Sequence, residues 1–534
     1  MKYLVTSALP YANAPLHLGH VLEIVQTDAW VRHKNLTDAE ALYFCASDTH
    51  GTPVMLKAKE LGITPEQLID EIHANHKNTF ENFNVNLSNF HSTHSKENKE
   101  LTSQIFKKAQ EKGYIHKKII SQLYDEIENI FLADRFIKGT CPACNEEEQY
   151  GDACEKCGST YDALDLKDPL SVLSNSKPVI KESEHYFFKL NDLAKFLESN
   201  VQKISQQTPI KSKLNEWLKE DLKDWDVSRD EPYFGFTIPG EEKKFIYVWM
   251  DAPVGYLASI KNWSEDSGMD FNELMTNKDT KLMHFIGKDI VYFHLLFWPA
   301  MLNAADIDNL EEVFVHGFLT IEGNKMSKSK GNFILADKAL EHANADYYRY
   351  YLCSKLNTDI ADIDFSIDDF IQKINSDLIG KYINIGSRTQ NFLVKFNDSK
   401  IVPNSIKKSA EFTDIYKQII SQIESKEYSK ALKNIMMVAD KINAYVSAEE
   451  PWNKAKNGEE SECLIICSEA LNVFKDLTIL LQSFMPEIAE KVFDLLMVNK
   501  LNYSDLCSDN ITTVNKFEPF IRRLEKTDFD GILD

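Results

Sequence analysis

The order of the first three elements constrains this chain most. Tyr3-Leu4-Val5-Thr6-Ser7 reads as a short buried strand, Pro10 to Pro15 as its loop, and Leu16 to His33 as a helix with an apolar stripe at Leu18, Leu22, Val25 and Ala29. Ala41 to Ala46 is a second strand. Strand, helix and strand in that order open a parallel sheet, and ligands of such sheets lie beyond the carboxyl ends of the strands. The polar run Asp48-Thr49-His50-Gly51-Thr52 falls at one of those ends.

The sheet is then interrupted. Residues from about 64 to 110 are helical in pattern and rich in charge, and near Tyr114 the character changes to a turn-rich, β-rich stretch around a cysteine window, which looks inserted. Strand-like runs resume at Phe245 to Met250, at Leu282 to Ile286 ahead of Gly287-Lys288-Asp289, and at Val313-Phe314-Val315. From about residue 371 the pattern is long amphipathic helices, a separate bundle.

At 534 residues the chain has room for about three or four domains. With 43% hydrophobic and 27% charged residues it is globular, and 60 Lys and Arg against 82 Asp and Glu, a net charge of −22, exclude a general coat of positive charge. Any nucleic-acid contact must use local basic patches. Lys2, the apolar Tyr3 to Leu9 and Ala12-Asn13-Ala14 imitate a secretion signal, but Thr6, Ser7 and Pro10 interrupt it. The longest apolar run, Ile290 to Leu302, contains His294 and Pro299 and falls short of the ~20 residues of a membrane helix. No membrane association is expected, and nine cysteines, four of them in one window, suit the cytoplasm.

Three segments carry chemistry. In Pro15-Leu16-His17-Leu18-Gly19-His20, two imidazoles sit three apart at the start of a helix, beside its positive end, which suits a polyphosphate. Gly19 lets a nucleotide approach the backbone, although two ordinary surface histidines would read the same way. No G-x-G-x-x-G follows the first strand and no G-x-x-x-x-G-K-[ST] occurs, which disfavours dinucleotide oxidoreductases and P-loop enzymes. Lys325-Met326-Ser327-Lys328-Ser329-Lys330-Gly331-Asn332 places three ammonium groups in a loop flanked by Gly323 and Gly331, able to close over phosphates or simply solvated. Cys141-Pro142-Ala143-Cys144 and Cys154-Glu155-Lys156-Cys157 offer four thiolates for a tetrahedral Zn²⁺, with Pro142 and Gly158 suited to tight turns; a redox pair or a chance cluster is the competing reading. Four protein ligands leave no open position, so such a zinc is structural.

His-x-Gly-His after the first strand together with Lys-Met-Ser-Lys-Ser resembles the paired signatures of class I aminoacyl-tRNA synthetases, with Leu18 in place of the usual Ile. Ala8-Leu9-Pro10-Tyr11-Ala12-Asn13, Tyr247-Val248-Trp249-Met250-Asp251-Ala252-Pro253, Gly287-Lys288-Asp289-Ile290-Val291-Tyr292-Phe293-His294 and the paired cysteines narrow the resemblance to the methionyl-tRNA synthetases. It runs from residue 4 to about residue 452. The fold class it implies is α/β: a Rossmann-like doubly wound parallel sheet split by a zinc-binding connective insertion and followed by an all-α helical bundle. The expected divisions are 1–110 and 231–315 for the two sheet halves, 111–230 for the insertion, 316–370 for the lysine-loop and stem-contact region, and 371–534 for an anticodon-binding bundle.

The resemblance implies a methionine–tRNA ligase. Methionine attacks the α-phosphate of ATP, pyrophosphate leaves, and the methionyl group passes to the 3′ end of tRNA(Met), the initiator included. No covalent enzyme intermediate is needed, so positioning and electrostatics do the work. By the same resemblance His17, His20, Lys325 and Lys328 are catalytic, and they bind ATP with Gly19, Glu23, Gly287 and Asp289, Asp289 being the ribose partner. Mg²⁺ accompanies ATP. Leu9, Tyr11, Asp48, Trp249, Ala252, Pro253, Tyr256, Ile290 and His294 form the methionine pocket, with Asp48 on the α-ammonium. Because a methyl in an apolar pocket is worth about 1 to 3 kcal/mol, homocysteine is expected to be activated at times and cyclised in the same site.

Asn384, Arg388 and Trp452 match the anticodon-reading positions, and Lys373, Lys381, Arg388 and Lys395 against Asp377 give a local positive patch on the first bundle helices. A monomer is expected, because some relatives continue into an additional dimerising domain. A nucleotidyltransferase of the same superfamily would be much smaller, and a non-catalytic RNA-binding paralogue would be free to lose His17, His20, Lys325 and Lys328. Cysteinyl-tRNA synthetases also use zinc, but through ligands spread along the chain.

Overall fold

The computed structural model describes residues 1–534 apart from 133–135, 152, 153, 155, 158, 160, 220, 327–332 and 534. Its centre is a five-stranded parallel sheet of β1 (Lys2–Ser7), β2 (Glu40–Ser47), β3 (Asn89–Ser92), β4 (Thr280–Gly287) and β5 (Leu310–His316). The spatial order is β5-β4-β1-β2-β3. Leu4 of β1 lies in register with Leu42 on one side and Leu282 on the other, all in apolar surroundings. The chain moves outward from β1 through β2 to β3, then returns to β1's other edge for β4 and β5. The reversal between β1 and β4 is the topological switch point, where the strand ends splay and a ligand can enter.

Helix α1 (Leu18–Lys34) connects β1 to β2. Its expected stripe of Leu18, Leu22, Val25 and Ala29 is buried, but so are Val21, Ile24, Asp28, Trp30, Val31 and His33. A helix buried on nearly every side has to be sandwiched. Here the sheet covers one face and the bundle the other, where Trp30 donates to the Glu424 carbonyl and His33 bonds Tyr503 and Glu424.

Two strand expectations change. β3, Asn-Phe-His-Ser, was absent from the helical reading of 64 to 110, because it has no β-branched residue and only four residues. The strand expected over Phe245 to Met250 ends at Ile246, and Val248–Asp251 is a helical turn, closed by Ala252 N–H to the Val248 carbonyl at 2.7 Å. Apolar runs this short do not separate strand from helix by periodicity.

The insertion is built on a long antiparallel pair, Ile115–Asp125 with Val179–Phe188, which carries a small sheet of Gln149–Tyr150, Ile137–Thr140 and Lys167–Ser171 at the cysteine window. After β5, Leu319–Ile321 and Asn324–Lys325 form a hairpin whose turn residues Glu322 and Gly323 have φ of 48° and 75°. Glycine suits the second of these left-handed positions. The hairpin leads into Ser327 to Asn332, so Lys328, Gly331 and most of the lysine loop lie outside the described residues.

The bundle begins with Ile367–Lys373, which runs on through a π-helical stretch, Ile374–Ile383, into Asn384–Phe396. Its axis is Glu460–Leu481, buried along almost its whole length, and Gly386 lets Phe474 of that helix approach so closely that a Cβ would sit 2.8 Å from its ring. One fully buried cation fastens bundle to sheet. Arg349 donates to Asp28 of α1 at 2.5 Å and to the carbonyls of Phe83, Ser483 and Phe484 at 3.0–3.2 Å. Asp28 also accepts from Arg32 at 2.6 Å and from Asn86 N–H at 3.0 Å. Removing one partner of a buried ion pair leaves an uncompensated charge. Asp28→Asn is therefore expected to lower the stability by about 3 to 5 kcal/mol, read as an earlier thermal or urea transition. An unchanged transition would remove Arg349 and Asp28 from the inter-domain contact.

Candidate functional site

A cleft of about 650 Å³ opens at the switch point. Its walls come from the segments after β1, β2, β4 and β5, from the first turns of α1, and from the Val248–Asp251 turn with the helix that follows. Every residue expected around methionine lies on it: Leu9, Tyr11, Asp48, Trp249, Ala252, Pro253, Tyr256, Ile290 and His294. So do His17, Gly19, His20, Glu23, Gly287 and Asp289. Lys325 ends the far arm of the hairpin, with its backbone paired to Thr320, and Met326 reaches the cleft wall; Lys328 lies outside the described residues.

The histidine motif works as a helix cap. His17 is the N-cap of α1, its Nδ1 accepting the Gly19 N–H at 3.0 Å, while His20 Nδ1 accepts the His17 N–H at 3.2 Å. Both rings thus spend Nδ1 on the helix end and carry their hydrogen on Nε2, the rings 3.9 Å apart. Burial, with His17 and His76 nearby, holds His20 well below the usual imidazole range. A neutral N–H dipole at a helix N-terminus can receive a phosphate oxygen without a formal charge. Gly19 is needed because a Cβ would lie 2.8 Å from the His17 ring and 2.7 Å from Met326.

Opposite, Gly287 leaves room for Asp289, whose Oδ1 would lie 2.6 Å from a Cβ there. His316, at the end of β5, was not among the expected site residues. Its Nδ1 faces the Gly317 carbonyl at 2.7 Å and its Nε2 the Glu23 carboxylate at 3.1 Å. The Gly317 carbonyl only accepts, so Nδ1 carries a hydrogen; burial works against a charged ring, but Glu23 and the Gly317 carbonyl together raise His316 above the usual imidazole range, while burial raises Glu23. The signal for His316 was the bare His-Gly following a strand, too short to stand out.

The apolar end of the cleft is ordered by directional bonds. His294 Nδ1 donates to the Ile290 carbonyl at 3.1 Å, so its Nε2 accepts the Tyr256 hydroxyl at 2.8 Å. Burial keeps His294 neutral, pushed down to about 4. Trp249 stacks on Phe293 with ring centres 3.8 Å apart and planes 6° from parallel. Gly255 abuts Leu9, where a Cβ would come within 2.7 Å. Asp48, at the end of β2, has a buried Oδ1 with no partner among the described residues. Arg229, Tyr233 and Tyr247 also line the cleft and had no recognisable sequence pattern.

The four cysteine sulfurs all lie within 4.8 Å of one another, with Cys141 to Cys157 at 3.9 Å and Cys144 to Cys154 at 3.6 Å. A tetrahedral Zn²⁺ with bonds of about 2.3 Å needs sulfurs about 3.8 Å apart, so the donor set fits a metal such as zinc. Cys144 and Cys157 N–H groups point at Cys141 and Cys154 sulfurs at 3.4 Å each, which favours thiolates, and Ser159 draws the Cys157 thiol down to about 6. Gly158 lies outside the described residues.

At the bundle, Asn384, Arg388 and Trp452 come together. Asn384 donates to Asn443 at 3.0 Å, Arg388 to Ser447 at 3.1 Å, and the Arg388 guanidinium lies 5.2 Å over the Trp452 ring. The expected positive patch is weaker than its residue tally. Lys373 pairs with Asp377 at 3.0 Å, and Lys381 pairs with Asp440 at 2.9 Å, an acidic residue of the Tyr428–Glu449 helix that packs alongside.

Residues 3–390 match the family described as tRNA synthetases class I (M), and residues 398–522 match the anticodon binding domain of methionyl tRNA ligase. Among solved structures, Mycobacterium tuberculosis methionyl-tRNA synthetase in complex with methionyl-adenylate is 23% identical, with a TM-score of 0.80 over 97% of this chain and 98% of that one. The free form of the same mycobacterial enzyme is 20% identical, with a TM-score of 0.72 over 98% of each chain.

Proposed function

The chain belongs to the methionyl-tRNA synthetases of class I and is a methionine–tRNA ligase, and from that premise we propose how its own residues carry the reaction. The observation that supports the assignment of roles is the meeting, in one cleft, of the His17–His20 cap with Asp48 and the Gly287-to-His294 segment. Methionine lies with its side chain among Leu9, Trp249, Ala252, Pro253, Tyr256, Ile290 and His294, beside Tyr11, and with its ammonium on Asp48. That places its carboxylate toward the N-terminus of α1. ATP lies across α1 and the end of β4, its adenosine against Glu23, Gly287 and Asp289 and its phosphates under the Nε2–H groups of His17 and His20.

Attack of the carboxylate on the α-phosphate is then in-line, and the charge that builds on the phosphate oxygens meets donors already aimed at it. Lys325 and Lys328 belong to the loop that continues from the hairpin, and we assign them to the leaving pyrophosphate. A Mg²⁺ bound with ATP would supply positive charge against its phosphates. The cleft then passes the methionyl group to the 3′-terminal ribose of tRNA.

Cys141, Cys144, Cys154 and Cys157 hold one structural Zn²⁺ that fixes the insertion's tip. Asn384, Arg388 and Trp452 read the anticodon, the first two by hydrogen bonds to base edges and Trp452 by stacking. The catalytic sheet comprises 1–110 and 231–315, the connective insertion 111–230, the stem-contact region 316–370 and the bundle 371–534. No helix of the described residues is long and apolar enough to cross a membrane, and a cytoplasmic monomer suits this assignment.

Methionine should drive exchange of pyrophosphate into ATP, and no other amino acid should do so to a comparable extent. His20→Asn is expected to slow that exchange by about 10² to 10³-fold, the cost of one lost oxyanion donor. A wild-type protein without methionine-dependent exchange would refute the role given to the cleft. Metal analysis should find about one zinc per chain, and Cys154→Ser should lose it. Trp452→Ala should weaken tRNA charging while leaving pyrophosphate exchange intact; equal loss in both assays would contradict the division between cleft and bundle.

A further inference from the structure

Behind Asp48 lies a second carboxylate that the reaction does not use. Asp251, in the turn after Trp249, is fully buried, and like Asp48 it has an Oδ1 with no partner among the described residues. Its Oδ2 is bonded to His50 Nδ1 at 2.7 Å, and His50 Nε2 is bonded to His94 Nδ1 at 3.0 Å. His50 is buried and His94 is exposed, its ring stacked on Phe234. A hydrogen-bonded chain therefore runs from a buried carboxyl beside the methionine site to solvent.

We propose that Asp48 and Asp251 share one proton in the free enzyme, and that the ammonium of methionine displaces it to solvent through His50 and His94. The inference rests on the reading that Asp48 takes the substrate ammonium. Two arrangements of hydrogens fit the same heavy atoms. In the first, Asp251 carries the proton and donates to His50 Nδ1, while His50 Nε2–H donates to His94 Nδ1. In the second, His50 Nδ1–H donates to an ionised Asp251, and His94 Nδ1–H donates to His50 Nε2. Passing from first to second breaks the Asp251 O–H and His50 Nε2–H bonds and forms the His50 Nδ1–H and His94 Nδ1–H bonds. The proton on His94 Nε2 goes to water, and one proton leaves with no heavy atom displaced.

The electrostatic surroundings agree. Burial raises both carboxyls above the usual range; Asp48 is raised further by Asp251, whereas His50 partly offsets the effect on Asp251. The other titratable groups facing the pair are the phenols of Tyr11, Tyr233 and Tyr256, each pushed higher by burial and, further, by these carboxylates; the cation on that wall, Arg229, lies 3.7 Å over the Tyr247 ring and pairs with Asp226 at 3.5 Å. At the outer end His94 faces Glu66, Asp70 and Lys99, and burial lowers it, so it passes a proton on rather than retaining it. Two carboxylates buried together cannot both ionise cheaply until a positive charge arrives. The ammonium supplies that charge and keeps its own three hydrogens.

The test is titration calorimetry of the full zinc-loaded protein with L-methionine, without ATP, in buffers of different ionisation enthalpy near neutral pH. The expected result is release of about one proton per methionine bound, with affinity rising up to about tenfold per pH unit over the range of release. Asp251→Asn should bind methionine with no proton release at the same pH. Binding without release in the wild type, or undiminished release in Asp251→Asn, would overturn the inference while leaving the methionine site intact. Absence of methionine binding in every buffer would instead strike at the site itself. With a pH indicator in stopped flow, His94→Phe should release its proton behind the binding signal. Release in step with binding would take His94 off the route.

Discussion

The pairing of β1 with β4 is the constraint on which the rest depends. The two strands are distant in sequence, and parallel strands cannot be joined by a tight turn, so everything between β3 and β4 acts as one very long crossover. Once Leu4 and Leu282 are in register, the segments leaving the two strands are forced side by side. The first carries Leu9, Tyr11 and the His17–His20 cap; the second carries Gly287, Asp289, Ile290 and His294. Neither segment could form the cleft alone, and a slip of one residue would turn each set of side chains to the opposite face.

Charge inside the cleft is used sparingly. Burial holds His20 at the α1 cap well below the usual imidazole range, and His316, raised by Glu23, has that carboxylate as its partner at 3.1 Å. A buried full charge would bind ATP strongly before reaction as well as during it, whereas dipoles at a helix terminus gain most as negative charge develops. Among the described residues the cation on the cleft wall is Arg229, which lies over the Tyr247 ring and pairs with Asp226. The bundle follows the same economy: Asp377 and Asp440 neutralise Lys373 and Lys381, so the anticodon reading proposed for Asn384, Arg388 and Trp452 would depend on base-edge bonds and stacking more than on attraction to phosphate.

Much of this was legible in the sequence because some of it is local. The helix cap needs only His17, Gly19 and His20 in one turn, and the sulfur cluster needs only two C-x-x-C turns facing each other. Position along β1, β2 and β4 was set by runs of apolar residues with polar punctuation. What failed was information held by partners far away. β3 is a strand because β2 and the Val254–Ser267 helix offer it a place, not because Asn-Phe-His-Ser favours one. The role of His316 depends on Glu23, and that of Lys381 on Asp440, pairings no window of sequence contains. The burial of α1 on nearly every side likewise follows from a bundle that begins more than three hundred residues later.

The division of labour within the amino-acid end of the cleft follows from magnitudes. Every amino acid offers the same ammonium, so Asp48, in the role proposed for it, would anchor the substrate without choosing it. Choice falls to the walls around the side chain, where one methyl is worth about 1 to 3 kcal/mol. That is modest, and it is realised only if the walls do not yield. The structure meets this by fixing them from behind: Tyr256 is held by His294, His294 by the Ile290 carbonyl, Trp249 by its stack on Phe293, and Leu9 by Gly255. An unbranched thioether fills such a slot at little cost in strain, whereas a β-branched side chain must displace a ring already committed to a partner. Anchoring and choosing are thus carried by different physics, the first by charge in a dry site and the second by the stiffness of packed rings.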